Sequence, residues 1–233
     1  MLTKERIEEI RNELKNLKIR SSATSTVMTS PNKNEMPVGA KTYIEDLVGM
    51  IVYNYIGEIG SKYFDKGHEV EDASIGLYNR VFFKNYRKAV KPASNEYLKT
   101  QSCDIDDEED DMIIDIKSPW TKKTFPKTKR QARKDAIKAG YDWQILSYQS
   151  IYKRKKGRIA FCFSETPEGL CQWEDQTLHT VNNEIVPEEL LITSVDFDFD
   201  PIMEAQLFAR VKLCRIYALE YFNEILKDHG FEE

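Results

Sequence analysis

Asp104, Asp115 and Lys117 are the residues of this chain whose types and spacing point to chemistry. They lie in the stretch SCDIDDEEDDMIIDIKSPW, residues 102–120. MIIDIK, residues 112–117, is β-branched and apolar and reads as a buried strand. Alternate residues of a strand share a face, so Asp115 and Lys117 point one way and Ile116 the other. A second strand over Tyr97–Asp104, joined to the first through a solvated acidic turn at Asp106–Asp111, makes a hairpin that brings Asp104 beside Asp115. Two carboxylates at one point repel unless a cation lies between them, and Mg²⁺ prefers such hard oxygen ligands. A protonated Lys117 cannot ligate the metal, but it can orient water or offset charge growing on a phosphate. Metal, water and phosphate together describe phosphodiester hydrolysis. The plain alternative is an acidic hairpin with no catalytic part, since D-x-K is a short pattern. Asp115 argues against it, because an unpaired carboxylate inside an apolar strand is costly. Ser118-Pro119-Trp120 ends the strand abruptly, as if fixing the site's position. The run CDIDDEEDDMII lacks the central Gly and terminal Glu of an EF-hand loop.

The surrounding elements read as an α/β fold, with a central mixed β-sheet flanked by helices and further helices at both ends. Ile7, Ile10, Leu14 and Leu17 recur at spacings of three and four, which predicts an amphipathic helix over 3–18. A polar loop over roughly 20–40 follows, then helices over 41–59 and 65–84. A helical stretch is expected at about 128–153, a buried strand at Arg158–Phe163 and another at 192–198. Asp200-Pro201 supplies an N-cap and a first-turn proline for a last helix running to about Asp228, which Gly230 can end. One domain spans 1–233. Its parts are an N-terminal helix and polar loop (1–40), a catalytic core (41–165) and a C-terminal strand with a long helix (166–233).

At this point the residues resemble a known family. Asp104, a ten-residue gap and then IDIKSPW is similar to the PD-(D/E)-x-K nuclease pattern, in the branch of the phage-type exonucleases and related viral recombinases. Four further segments agree: IRSSATSTVMT at 19–29, KGHEVEDA at 66–73, NEYLKTQSCDI at 95–105 and YDWQILSYQSIY at 141–152. The resemblance covers residues 19 to about 165 and implies a restriction-endonuclease-like core. It implies that Glu71, Asp104, Asp115 and Ile116 hold the metal, Mg²⁺ with Mn²⁺ as a substitute. Lys117 matches the catalytic lysine and Gln144 the helical glutamine near the attacked phosphate. Arg20 and Ser22 resemble contacts to a terminal phosphate. The chain departs from the family before the first acid, where Ser102-Cys103 replace the usual Gly or Ser and Pro. Asp106 and Asp107 therefore stand as alternative ligands, and Glu69 rivals Glu71. The helix face favours Glu71, which shares a side with Ile75 and Tyr78. By analogy the partners include a single-strand annealing protein and further copies of the chain in a trimer.

The net charge is −5, but its distribution is uneven. KKTFPKTKRQARK, residues 122–134, holds seven basic side chains and no acid. Lys122, Lys123, Lys127, Lys129 and Arg130 within it are candidates to grip a DNA backbone, and KRKKGR at 153–158 adds five more basic side chains. Trp120, Phe125 and Trp143 lie nearby as candidates to stack on an unpaired base. Cys103, Cys162, Cys171 and Cys214 are too dispersed for a zinc ribbon or a cysteine-held cluster. His68, His179 and His229 show no ligand spacing and are expected at the surface. The N-terminus lacks a signal-peptide core and no apolar run spans a membrane, so the expectation is a soluble cytoplasmic protein. The sequence thus points to a DNA exonuclease acting on linear duplex. The competing readings are a non-catalytic DNA-binding or assembly protein on the same fold, and an endonuclease.

Overall fold

The computed structural model describes residues 3–29, 35–57, 62–182 and 184–231, with the backbone alone at 62–64. Positions 30–34 of the expected polar loop and 58–59 of the expected helix lie outside these. The elements run α1 (Lys4–Lys15), β1 (Ile19–Arg20), α2 (Thr24–Val27), α3 (Val38–Tyr53), α4 (Lys62–Glu69), α5 (Glu71–Phe82), β2 (Ala93–Ser94), β3 (Leu98–Thr100), β4 (Ile105–Asp107), β5 (Met112–Lys117), α6 (Lys129–Ala139), α7 (Tyr141–Tyr152), β6 (Lys156–Cys162), α8 (Glu168–Cys171), β7 (Ile192–Asp198) and α9 (Pro201–Asp228).

The main sheet has the order β4-β5-β6-β7, with β5 and β6 parallel and both outer pairs antiparallel. This is the expected mixed sheet. A smaller sheet, β1-β3-β2, stands beside it. That second sheet corrects the expected hairpin. Tyr97–Asp104 is not one strand, because β3 leaves to pair with β1 and β2, and the partner of β5 is β4. Asp106 and Asp107 accordingly belong to a strand and not to the turn, and Asp107 is buried.

Two other elements expected as single helices are broken. The helix over 65–84 divides at Val70, whose φ and ψ of −102° and 7° leave the helical region. The break starts α5 with Glu71 and Asp72, acids at the positive end of the new helix dipole. The stretch 128–153 divides at Gly140, whose φ of +72° ends α6 in the left-handed conformation that glycine adopts without strain. The last helix follows its sequence signals: Asp200 Oδ1 accepts from the Ile202 and Met203 amides at 2.8 and 3.1 Å, with proline in the first turn.

α7 explains the layering. Ile145, Tyr148 and Tyr152 pack with Ile113, Ile159 and Ala160 of the sheet, whereas Trp143 and Leu146 pack with Ile10 of α1, Val48 of α3 and Leu207, Val211 and Phe222 of α9. A helix apolar on both sides is one buried between layers. α7 therefore lies between the main sheet and the α1–α3–α9 layer, with α5 packing on the sheet as well. All four cysteines are buried free thiols, and no described helix is long and apolar enough to cross a membrane.

At Gly140 an added Cβ would meet the Ser25 Cβ at 2.4 Å on top of the positive φ. Gly140→Ala is expected to cost more than about 1 kcal/mol, read as a lowered urea midpoint at unchanged slope.

Candidate active site

The β4–β5 register pairs Ile105 with Ile114. One further step of the same register sets Asp104 opposite Asp115. β4 pairs no further, so the backbone of Ile116 loses its strand partner on that side, and the Asp104 carboxylate takes its place by accepting the Ile116 amide at 2.5 Å. A strand residue directs its N–H and C=O to the same side, so the Ile116 carbonyl also faces the Asp104 side. The sequence departure before Asp104 thus leaves that acid in register. The alternatives are engaged elsewhere. Asp106 accepts the Arg154 guanidinium at 2.7 and 3.2 Å. Asp107 accepts the Tyr86 hydroxyl and, at 3.1 Å, the Asp110 amide.

Lys117 lies on the same face as Asp115. Its ammonium is 2.8 Å from Asp115 Oδ2, donates to Gln144 Oε1 at 3.0 Å and lies 4.4 Å from the Tyr141 ring centroid. The Gln144 amide donates in turn to the Tyr148 hydroxyl at 3.2 Å, so helix α7 orients the lysine head through its glutamine. Burial alone would lower the affinity of Lys117 for its proton, but the Asp115 carboxylate, Tyr141 and Tyr148 together hold it above the ordinary lysine value. Lys117 therefore remains an ammonium. Burial, and then the neighbouring Asp115 charge, push Asp104 well above the usual carboxylate range, against the opposing pull of Lys117 and the Ile116 amide, and Glu71 adds to the rise.

Glu71 opens α5 with its side chain 17% exposed and its carboxylate 2.5 Å from the Lys88 ammonium. Its rival Glu69 is exposed at the end of α4. Among the described residues no three His, Cys, Asp or Glu side chains converge closely enough to hold a metal ion. The donor set nevertheless suits a hard divalent cation. Asp104 and Asp115 raise one another's electrostatic cost, Asp115 Oδ2 is buried without a well-formed hydrogen bond, and lysines occupy the Glu71 and Asp115 carboxylates.

The exit from β5 is held by groups the sequence reading did not single out. Lys66 is fully buried and donates to the Pro119 and Trp120 carbonyls at 2.7 and 3.3 Å. Ser118 shares a hydrogen bond with Ser74, and Ser74 with Ser164. His179 was expected at the surface but is fully buried, its ring nitrogens 3.0 Å from Thr166 Oγ1 and 3.2 Å from Glu174 Oε2. Only folding brings Thr166 and Glu174 around it, so spacing along the chain carried no signal. His68 and His229 are exposed as expected. Trp120, Phe125 and Trp143 are 9%, 5% and 8% exposed, which rules them out as stacking platforms; Trp173, 91% exposed, is the tryptophan solvent reaches.

Arg20 and Ser22 are exposed and flank the buried Ser21, whose hydroxyl accepts from Ser147 of α7 at 2.7 Å. One face of α7 thus meets the 20–25 segment and another presents Gln144 to Lys117. Lys122, Lys123, Lys127, Lys129 and Arg130 are all exposed. Lys127 curls back onto the Lys122 and Lys123 carbonyls and braces the loop, which leaves its charge less extended than that of its neighbours.

Compared with solved structures, the chain is similar to a phage related exonuclease from Haemophilus somnus 129PT, with a TM-score of 0.83, 25% sequence identity and coverage of 92% of this chain and 99% of that one. It is also similar to an alkaline exonuclease, LHK-Exo, from Laribacter hongkongensis, with a TM-score of 0.59, 14% identity and coverage of 96% and 98%. The LHK-Exo complex with dAMP gives a TM-score of 0.59 at 13% identity, again over 96% and 98% of the two chains. These last two likenesses concern the fold alone. No protein-family profile and no curated protein sequence matches the chain.

Two stability predictions follow from the charges. Because the folded-state value of Asp104 is raised, ionising it opposes folding at pH above that value, and the cost is relieved as pH falls through it. Asp104→Asn keeps an acceptor for the Ile116 amide and is expected to stabilise the metal-free protein at pH 7 by on the order of 1 kcal/mol, about 2–4 °C in Tm, while abolishing any rise in Tm on adding Mg²⁺. A metal-free Tm at or below that of the native protein would contradict this. Burial draws Lys66 down to about 8 from the ordinary 10.5. Its charge thus costs stability below pH 8, and the cost fades as pH rises toward 10.5. Urea midpoints at pH 7.5 and 10 are expected to show the native protein gaining on Lys66→Met at the higher pH; a pH-independent difference would remove Lys66 from that linkage.

Proposed function

We propose that this chain, whose fold is that of the phage-type PD-(D/E)XK exonucleases, is a metal-dependent nuclease that hydrolyses linear duplex DNA from its ends. The observation that carries the reading is the Lys117 ammonium held between Asp115 at 2.8 Å and Gln144 at 3.0 Å, on the strand step where Asp104 faces Asp115. A structural ion pair would need neither a second, half-buried carboxylate nor a glutamine to orient its lysine.

Glu71, Asp104, Asp115 and the Ile116 carbonyl are the groups that would hold Mg²⁺. When bound there, the ion supplies Lewis acidity toward phosphate oxygens and acidifies water. The remaining work falls to the chain itself. Lys117 presents a fixed positive charge to the non-bridging oxygens of the attacked phosphate, where negative charge grows in the transition state. It donates and does not abstract, since it keeps its proton. Gln144 fixes the Lys117 head and has its own amide fixed by Tyr148, so little reorganisation is needed as charge develops. Lys88 stands against Glu71 as a counter-charge that a bound cation must displace. Arg20 and Ser22 flank a segment anchored on α7 and are assigned to a terminal phosphate, as an end-directed enzyme requires.

The test uses end-labelled linear duplex and covalently closed circular duplex, each with Mg²⁺ or EDTA. Mg²⁺-dependent loss of the linear species with the circle intact is expected. Cleavage of the circle would replace the exonuclease reading by an endonuclease, and an intact linear species would leave a binding protein. Lys117→Met is expected to lower kcat by about 100-fold or more while DNA binding in EDTA persists; a drop below tenfold would remove Lys117 from the mechanism.

A further inference from the structure

A cavity of about 350 Å³ opens between α6 and the outer edge of β7, lined by Lys129, Arg130, Arg133, Arg158, Ser194 and Asp196 among others. Four of these are cations and one is an acid. Asp196 is already engaged by Arg158 in a two-pronged pair at 2.6 and 2.9 Å, and Arg158 is tied further to the Tyr78 hydroxyl at 3.0 Å. Arg133 donates to the Asp196 carbonyl at 2.7 Å and stacks over the Phe197 ring at 4.8 Å from its centroid. These contacts make a rigid wall whose one carboxylate is satisfied.

Lys129 and Arg130 are different. Among the described residues their side chains make no hydrogen bond and no ion pair, yet both line the cavity. They also occupy the first turn of α6, which carries no acid and is capped by the Thr128 hydroxyl accepting the Gln131 amide at 3.2 Å. Cations in a first turn face the positive end of the helix dipole, a placement that opposes folding. An anion in the cavity relieves both the dipole and the crowding of four cations. Arginine and lysine beside amides in a first turn are the groups that bind phosphate oxygens.

The cavity is separate from the catalytic face. Asp115 pairs with Ile159 and Ile159 with Val195, so Arg158, Ser194 and Asp196 belong to the opposite face of the sheet, and the cavity opens at its β7 edge.

We propose that the cleft between α6 and β7 seats one internal backbone phosphate of the DNA substrate, with Lys129 and Arg130 as its mobile contacts and Arg133 and Arg158 as its fixed wall. This rests on the reading of the protein as a DNA enzyme and adds a site outside the catalytic strand. A bound substrate would then be held at two separate points, the scissile phosphate and a second backbone phosphate at the β7 edge.

The experiment measures binding of the full chain to a linear duplex in EDTA, where no cleavage occurs, across a salt series. Native protein is compared with the double variant Lys129→Gln, Arg130→Gln and with a double variant on α1, Lys4→Gln, Lys15→Gln, matched in charge. The cleft variant is expected to bind about tenfold more weakly at 100 mM salt. Its slope of log affinity against log salt should fall in magnitude by about one, the loss of one phosphate contact. Equal losses in the α1 variant would reduce the effect to net charge and overturn the seat, as would an unchanged slope. Duplexes with and without a 5′-phosphate should lose alike; a loss confined to the phosphorylated end would overturn the internal assignment. Cleavage of linear duplex by the native protein with Mg²⁺ is scored separately, so the nuclease reading can fail while the cleft passes, and the reverse.

Discussion

Two carboxylates that repel one another are held on facing strands in a partly dry interior, and the rest of the molecule is organised around that constraint. Asp104 and Asp115 meet because the β4–β5 register runs one step past its last pair. Such a pair opposes folding unless each acid is compensated, and each is. Asp104 takes the backbone amide of Ile116, which the end of β4 left unpaired, and Asp115 takes Lys117. The compensation is partial, and Asp104 keeps an affinity for protons far above that of a free carboxylate because burial and the Asp115 charge outweigh the groups that oppose them. A site with negative charge in excess of its own counter-charges is one that a divalent cation stabilises.

Holding that arrangement requires the chain on both sides of Lys117 to be rigid. Upstream, Met112–Lys117 pairs on both edges, with β6 along its whole length and with β4 over its first half. Downstream, Lys66 clamps two successive carbonyls, while His179 and Thr166 brace the loop from the far side, the Thr166 hydroxyl donating to the Trp120 carbonyl at 2.9 Å. A buried lysine bonded to carbonyls is a costly device compared with an apolar side chain of the same length. It earns its place by fixing backbone oxygens that an apolar group leaves free. Helix α7 closes the frame, since Gln144 on one face fixes Lys117 while Ser147 on another carries Ser21.

What was legible in the sequence divides along physical lines. Asp115, Lys117 and the strand beneath them were legible because period-two alternation in an apolar run is local. The capped α9 was legible for the same reason, with Asp200, Pro201 and Gly230 all local signals. Asp104 was placed correctly opposite Asp115, but by way of a strand that does not exist as drawn, because the departure of β3 into a second sheet depends on β1, far away in the chain. The breaks at Val70 and Gly140 were missed for different reasons. Gly140 is a visible helix breaker inside an otherwise good helical pattern, and only Ser25, packed against it from far away in the chain, left no room for a side chain there. Val70 carries no breaker signal at all. Lys66 and Lys88 drew no attention, and His179 was misplaced at the surface, because their roles are defined by groups that only folding brings to them, Pro119, Glu71 and Thr166 among them.

The same distinction bears on how a chain with a net charge of −5 could act on DNA as proposed. The acidic run is largely answered within the fold: Asp106 pairs with Arg154, Asp107 accepts from Tyr86 and the Asp110 amide with Lys84 at 3.9 Å, and Asp110 pairs with Lys84 at 3.0 Å. Those pairs hold the turn of the β4–β5 hairpin, at the opposite end of β5 from Lys117. The basic stretch after β5 is unbalanced by comparison, because Lys122, Lys123, Lys129 and Arg130 are exposed and have no acid among the residues that follow Asp115 up to Lys134. Long-range attraction of a polyanion depends on where unpaired charge lies within about a Debye length of the approach path, and not on the sum over the chain. Sequence order therefore does electrostatic work. By putting the acidic run before β5 and the basic residues 122–134 after it, the chain separates those opposite charges to the two ends of the strand, while KRKKGR at 153–158 returns to the acidic end and pairs there with Asp106, Glu108 and Asp111.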